Sequence, residues 1–383
     1  MSTALQDERR ARLRASMSDA GLDLLVISGN AWRSDYLRFA LDVTPMEGEA
    51  VALFARDART RLVVEHPFEA ARIAAEQPSY DVLCAPNAAA YAASLLGTAD
   101  PSRTAVVPAH ATPWCLARGA FASGITAGIT AGITAGITAG ITAATALLDQ
   151  LMVAKSAAEA AAVARAAALA DEGYKVFQRA ARVGRREYEV IADVEAWLRA
   201  QGCPENFIIM GSGQQEVRSM HPPGERRLAP GDLVTTELTP CVDGYYSQIC
   251  RTLTIGEPTE IQRRAFAVYI EALEAGIALV RPGVTHGEIA VAQNNVFRRH
   301  GLGDYVSAEY TRVRGHGIGL YVDGPHVLEG VDQMLAPNMT LIVHPNTYHP
   351  DAGYIVLGDT VRVTETGCEV LTATPRELFS VPI

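Results

Sequence analysis

Short apolar runs alternate with helix-patterned stretches through the first third of the chain, and this alternation restricts the fold more than any other feature. The run 22–27 (LDLLVI) is too short for a buried helix and is closed by Ser28-Gly29-Asn30, a turn signal. Further strands are predicted at 50–54, 61–64, 81–84 and 104–107. Helices are predicted at 7–20, 67–76 and 88–96. Strands interleaved with helices bury their faces by layering, so residues 1–122 are assigned to an α/β domain.

A perfect repeat follows. Residues 124–143 read GITA five times, and 123–148 is assigned as a linker segment. A period of four is too short for a solenoid unit, and glycine at every fourth position weakens helix and strand alike. No function is assigned to it. From 144 to 171 the text is Ala-rich and helical, and Ser156 with Glu159 has the spacing of a capping box. Helices are predicted over 186–200, 258–281 and 286–300, with strand-rich text at 207–254 and short strands over 305–371. This makes 149–383 an α+β domain.

Composition excludes several classes. Lys and Arg total 33 against 43 Asp and Glu, a formal net charge of −10, which repels nucleic-acid phosphates. No apolar run reaches the roughly 18 residues of a membrane-spanning helix. The N-terminal text is too polar for a signal peptide. Six cysteines without a C-x-x-C pair point to buried free thiols in a reducing cytoplasm.

The motifs that carry chemistry lie in the second domain. They are Lys155-Ser156, Met220-His221-Pro222, the PGDLV of 230–234, Gly244-Tyr245-Tyr246-Ser247 leading to Arg251-Thr252, the RGHGIGL of 314–320, and Gly358-Asp359-Thr360-Val361. Together they resemble the creatinase, aminopeptidase P and prolidase family, closest in character to its metal-free creatinase-like members. The resemblance implies an α/β N-terminal domain ahead of a pita-bread catalytic domain. It also implies a homodimer in which the N-terminal domain of one subunit lies near the other's active site.

Family peptidases hold two divalent metals with two Asp, one His and two Glu. At the corresponding positions this chain has Glu237, Gln248, His316, His344 and Gly358. Two adjacent divalent ions need bridging carboxylates to offset their repulsion. Gln248 is neutral and Gly358 has no side chain, so the expectation is no metal and no cofactor. The corresponding function is a metal-independent hydrolase cleaving a C–N bond in a small amidine, guanidino or cyclic amidine metabolite. Three alternatives stay open: a single-metal enzyme on Glu237, His316 and His344; an Xaa-Pro type metallopeptidase; and a lyase acting on a small cationic substrate. A binding module without catalysis is a further class.

His221 matches the family's substrate-side histidine and is the candidate proton shuttle; it also reads as a loop histidine at a tight turn. His316 lies between two glycines that let the backbone pack closely and aim the imidazole inward. His344 precedes Pro345, which favours an extended backbone; a satisfied core histidine fits it equally. Glu237 sits among apolar or small strand residues, where a carboxylate needs a partner or a raised pKa. Gln248, Tyr246 and Asp323 are candidate substrate contacts. Arg33 and Arg38 are candidates for binding a substrate carboxylate, and each also reads as a surface charge.

Overall fold

The computed structural model describes residues 3–123, 141–320 and 324–383. The GITA repeat lies almost wholly outside them. The chain divides into two compact units, Met1–Met152 and Val153–Ile383.

In the first unit, β1 (Leu24–Asn30), β2 (Glu49–Ala55), β3 (Arg61–Val64), β4 (Asp81–Cys84) and β5 (Thr104–Val107) form a five-stranded sheet in the order β4-β3-β2-β1-β5. β1 and β5 run parallel, as do β3 and β4; the other pairs are antiparallel. The interior of β1 is buried at every position, as expected of a strand covered on both faces. Helix Ala88–Ser94 starts at Asn87, whose side chain accepts from the Ala90 amide at 2.7 Å. Its alanines pack on Val26, Val51, Val63 and Val106. Helix Ile141–Val153 runs past residue 148, where the linker was expected to end. Ala144, Leu148 and Met152, four residues apart, are buried on one face and carry the helix on.

The second unit begins with the capping box. Ser156 Oγ accepts from the Glu159 amide at 3.2 Å, and Glu159 Oε2 accepts from the Ser156 amide at 2.7 Å. The Ala-rich text is therefore two helices, because Ser156 starts a new one, Ala157–Ala180. Glu187–Ala200, Glu260–Ile277 and His286–Arg299 are the other long helices.

The main sheet has nine strands. These are β6 (Asn206–Gly213), β7 (Leu233–Val242), β8 (Tyr245–Tyr246), β9 (Ile249–Ile255), β10 (Gly315–Gly317), β11 (Thr340–Val343), β14 (Gly358–Val363), β15 (Cys368–Val370) and β16 (Phe379–Val381). β12 (Thr347–His349) and β13 (Gly353–Ile355) form a separate pair. The central order is β10-β11-β14-β9-β7-β6. Tyr174, Phe177 and Leu198 pack against Val234, Leu238 and Leu253 in one core. Phe266, Tyr269 and Phe297 pack against Leu341, Val343 and Val361 in another. Each fully buried side chain of this size is worth about 1.5–3 kcal/mol.

Among the described residues, no helix is long and apolar enough to cross a membrane. Cys203, Cys241 and Cys250 are buried, but Cys84 and Cys115 are exposed, against the expectation of mostly buried thiols.

Candidate active site

Strand register builds the site. Glu237 on β7 lies opposite Cys250 on β9, and Cys250 lies opposite Gly358 on β14. Val343, ending β11, lies opposite Asp359, and His316 on β10 lies opposite Ile342. Glu237, Gln248, His316, His344 and Gly358 thus come from five strands or strand ends that are successive in the sheet. The first four line one cavity of about 890 Å³, with Tyr246, Asn346, Tyr310 and Tyr354 also on its wall.

Glu237 is the centre of the polar floor. Asn346 Nδ2 donates to Oε1 at 2.8 Å and Gln248 Nε2 donates to Oε2 at 3.1 Å. Burial pushes the Glu237 carboxyl up to about 7, although donation from Cys250, Asn346 and Gln248 opposes the shift. Burial and the neighbouring Glu237 charge hold Cys250 as a thiol. Burial, then the nearby His316, pushes the His344 imidazole well below its ordinary value, so it is neutral at pH 7. The His316 and His344 rings meet edge to face with centroids 5.7 Å apart. His344 Nδ1 and Gln248 Oε1 are buried without hydrogen-bond partners, a cost of roughly 1–3 kcal/mol each.

The glycines beside His316 are sterically required. A Cβ at Gly315 would lie 2.2 Å from the Ile342 carbonyl oxygen, and one at Gly317 would lie 2.2 Å from that of Gly324. Gly358 is equally constrained. A Cβ there would lie 2.6 Å from His344 Cβ, 2.9 Å from the Val343 oxygen and 3.2 Å from Cys250 Sγ. Gly358→Ala is expected to cost about 1–3 kcal/mol by overpacking, read as a lower denaturation midpoint. Adding His344→Gly should return part of that loss; an unchanged midpoint in Gly358→Ala would show that the strands part freely.

Apart from Tyr246 on the cavity wall, the remaining described sequence candidates lie elsewhere. His221 is exposed, with Nδ1 2.7 Å from the Pro222 oxygen and 3.9 Å from Glu187 Oε2. It is not among the residues lining the cavity, although Arg218, Ser219 and Met220 are. Tyr246 is buried, and its hydroxyl donates to Glu205 Oε2 at 2.5 Å. Asp323 lies outside the described residues. Arg33 is exposed in the first unit, and its backbone N–H donates to Asn30 Oδ1. Arg38 is buried in the same unit, with Nε donating to Thr44 Oγ1 at 3.2 Å.

Asn346, Arg218 and Arg312 were missed. Asn346 had a signal: it lies two residues beyond His344 on extended chain, where alternate side chains share a face. The two arginines are on loops, where no period marks them.

Comparison with known proteins gives the class. Residues 161–365 match the model of metallopeptidase family M24, and the chain belongs to that family. It is 30% identical over 214 residues to an Xaa-Pro dipeptidase of Pyrococcus furiosus, covering 55% of this chain and 60% of that one. It is 34% identical over 203 residues to a probable dipeptidase PepE of Mycobacterium tuberculosis, covering 52% and 53%. The chain thus spans between half and three-fifths of the length of these curated relatives. The crystal structure of dipeptidase PepE from Mycobacterium ulcerans covers 100% of both chains at a TM-score of 0.81 and 28% identity. The X-Pro aminopeptidase of Thermotoga maritima, at 20% identity and a TM-score of 0.80, over 97% of this chain and 99% of that one, shares the fold. The pita-bread architecture expected from the sequence is shown by these neighbours.

These relatives overturn the main functional expectation. They carry the names of dipeptidases and Xaa-Pro peptidases, so the reading as a metal-independent hydrolase of amidine or guanidino metabolites is withdrawn, and its creatinase-like qualifier is unsupported. The Xaa-Pro peptidase alternative is the better reading.

The family description implies metal, a requirement the side chains present do not meet. Among the described residues, no group of three or more His, Cys, Asp or Glu side chains is arranged to hold a metal ion. Glu237 is already engaged by two amides, Gln248 carries no charge, and His344 Cβ stands where a side chain at 358 would begin. These residues do not fit a pair of divalent cations, and no chemical step is derived through one.

Proposed function

We propose that this chain is a peptidase of the M24 family that hydrolyses the amide bond of dipeptide-sized substrates. The observation that carries the reading is the whole-length likeness to the PepE dipeptidase structure. The cavity supports it, since its volume of about 890 Å³ lies within the range that takes small molecules.

Within the cavity, Glu237 supplies the group that exchanges a proton near neutral pH. Its ionised carboxylate takes a proton from the attacking water as the new C–O bond forms. It returns that proton to the nitrogen as the C–N bond breaks, leaving a carboxylic acid and an amine. Asn346 and Gln248 hold the carboxylate in position through both steps.

The test is amino-acid release from a dipeptide panel that includes Xaa-Pro members, run with Mn²⁺ supplied and again with chelator. Release of the C-terminal amino acid from at least one member is expected. No release from any member under either condition would overturn the reading.

A further inference from the structure

We propose that Arg314 is a positioning residue for Glu237: a guanidinium buried behind the cavity wall that holds Asn346, and through it the carboxylate. The proposal rests on the peptidase reading and adds what keeps its proton-exchanging group in place.

Arg314 is 1% exposed and does not line the cavity. Burial pulls its guanidinium down to about 10, so it still carries its charge at pH 7. Among the described residues it makes no ion pair: Glu329, whose charge reaches it, is taken by Arg298 Nη2 at 2.8 Å and Asn294 Nδ2 at 2.7 Å. A buried cation is costly unless other groups replace its water. Two asparagines do so here. Nε donates to Asn294 Oδ1, and Nη1 donates to the Asn346 backbone oxygen at 2.8 Å. The guanidinium also lies over the Phe297 ring, 4.9 Å from its centre, while Nη2 has no partner. So expensive a residue, set directly behind the polar floor, calls for a role there.

Asn346 supplies it, because three of its atoms are committed. Its backbone oxygen accepts from Arg314, its Oδ1 accepts from the Leu357 amide at 3.0 Å, and its Nδ2 donates to Glu237 at 2.8 Å. A backbone N–H can only donate, so Leu357 fixes which way round the side chain stands, with Nδ2 toward Glu237. The Arg314 charge is therefore one residue and two hydrogen bonds from the carboxylate. The Arg314 carbonyl also accepts from the His344 amide at 3.1 Å, and Nη1 donates to Thr311 Oγ1 at 3.4 Å. Asn346, His344 and Thr311 all line the cavity. One buried residue thus ties together three parts of its wall.

Both effects favour the ionised form of Glu237, the form that accepts a proton from water. A nearby cation and a firmly held N–H donor each stabilise a carboxylate. Without Arg314, Glu237 should keep its proton to higher pH. Cys250, Arg312 and Tyr354 also act on Glu237, and Tyr269, Tyr354, Glu329 and Arg298 act on Arg314. All of them stay in place in the variants below.

The experiment follows dipeptide turnover against pH in wild type, Arg314→Met and Arg314→Lys. In Arg314→Met the limb centred near 7 should move up by about one pH unit, and kcat at pH 7 should fall roughly 10-fold with KM little changed. Arg314→Lys keeps the charge but not the fork, and should lie between. Because Arg314 acts through Asn346, its loss should add little once Asn346→Ala is present. Fully additive losses in the double variant would overturn the proposal, as would a folded Arg314→Met chain with an unmoved limb. Should Arg314→Met not fold, Arg314→Lys decides: a limb and kcat equal to those of wild type would overturn it.

Infrared titration of the Glu237 carboxyl, read as wild type minus Glu237→Gln, measures the same shift without turnover. No turnover by wild type, with a midpoint that moves in Arg314→Met, would sink the peptidase reading and keep the role of Arg314. Turnover with an unmoved midpoint would do the reverse.

Discussion

Glu237→Gln should lower kcat by about 10²-fold or more while leaving a folded protein, because proton transfer by a placed side chain is worth about that much. The substitution keeps the shape of the group and can still meet Asn346 and Gln248, once the Gln248 amide turns over. What it removes is the proton exchange. In wild type, activity should rise with pH along a limb centred near 7, where the buried carboxyl ionises, and the residual activity of the variant should lack that limb.

The same shift has a consequence for stability. The ordinary carboxyl value is 4.5 and the folded value is about 7. Between them the folded chain holds a proton that the unfolded chain has released, so stability falls as pH rises through this window. The loss amounts to about 3 kcal/mol at most. Glu237→Gln should therefore gain on wild type between pH 5 and 8. His344 works in the opposite direction: its folded value is depressed, so its contribution grows as pH rises toward 6.5. Subtracting the variant's curve from that of wild type isolates Glu237. Full turnover by a folded Glu237→Gln chain would remove the residue from the chemistry. A flat stability difference across the window would show that the carboxyl is ionised throughout.

How far the sequence reveals this site depends on what each residue's position follows from. His316 was legible because Gly315 and Gly317 leave room only for bare backbone, and steric exclusion leaves its mark in residue type. The layered first domain was legible because apolar runs and helical stretches carry their own periods. Glu237, Gln248 and His344 were located through family resemblance; their convergence depends on strand register, which no local pattern encodes. Asp359, the neighbour of Gly358, is held instead by Arg251 and Arg376. The function was misread for a related reason. Counting lost carboxylates says how much charge the cleft can offset, but nothing about which substrate its walls accept. Arg312 and Arg218 line the same cavity from loops, where no period marks them.

Asp359→Ala should cost about 3–5 kcal/mol, the loss expected when one partner of a buried ion pair is removed. Asp359 Oδ1 accepts from Arg251 Nη2 at 2.7 Å and Thr372 Oγ1 at 2.8 Å, and Oδ2 accepts from Arg376 Nε at 2.6 Å. Burial pushes this carboxyl up, but the two guanidinium groups outweigh burial and hold it below its ordinary value. Arg251 is fully buried and also donates to the carbonyls of Cys250, Gly358, Thr374 and Pro375. Without Asp359 its charge stays buried with no compensating carboxylate on that nitrogen. Asp359→Asn keeps some of the hydrogen bonds and should cost less. The stabilisation is present above the unfolded value of 3.8 and is lost as pH falls through the folded value. The gap in unfolding free energy between wild type and Asp359→Ala, read from urea curves, should therefore be wide at pH 7 and narrow toward pH 3. A gap below 1 kcal/mol at pH 7 would mean that Arg251 finds its compensation from the carbonyls alone. The effect should also reach the cleft, since Arg251 holds the carbonyls of Cys250 and Gly358, and Cys250 lies opposite Glu237. A raised KM in the milder Asp359→Asn chain would show that this buried cluster sets the spacing of the strands on which the polar floor is built.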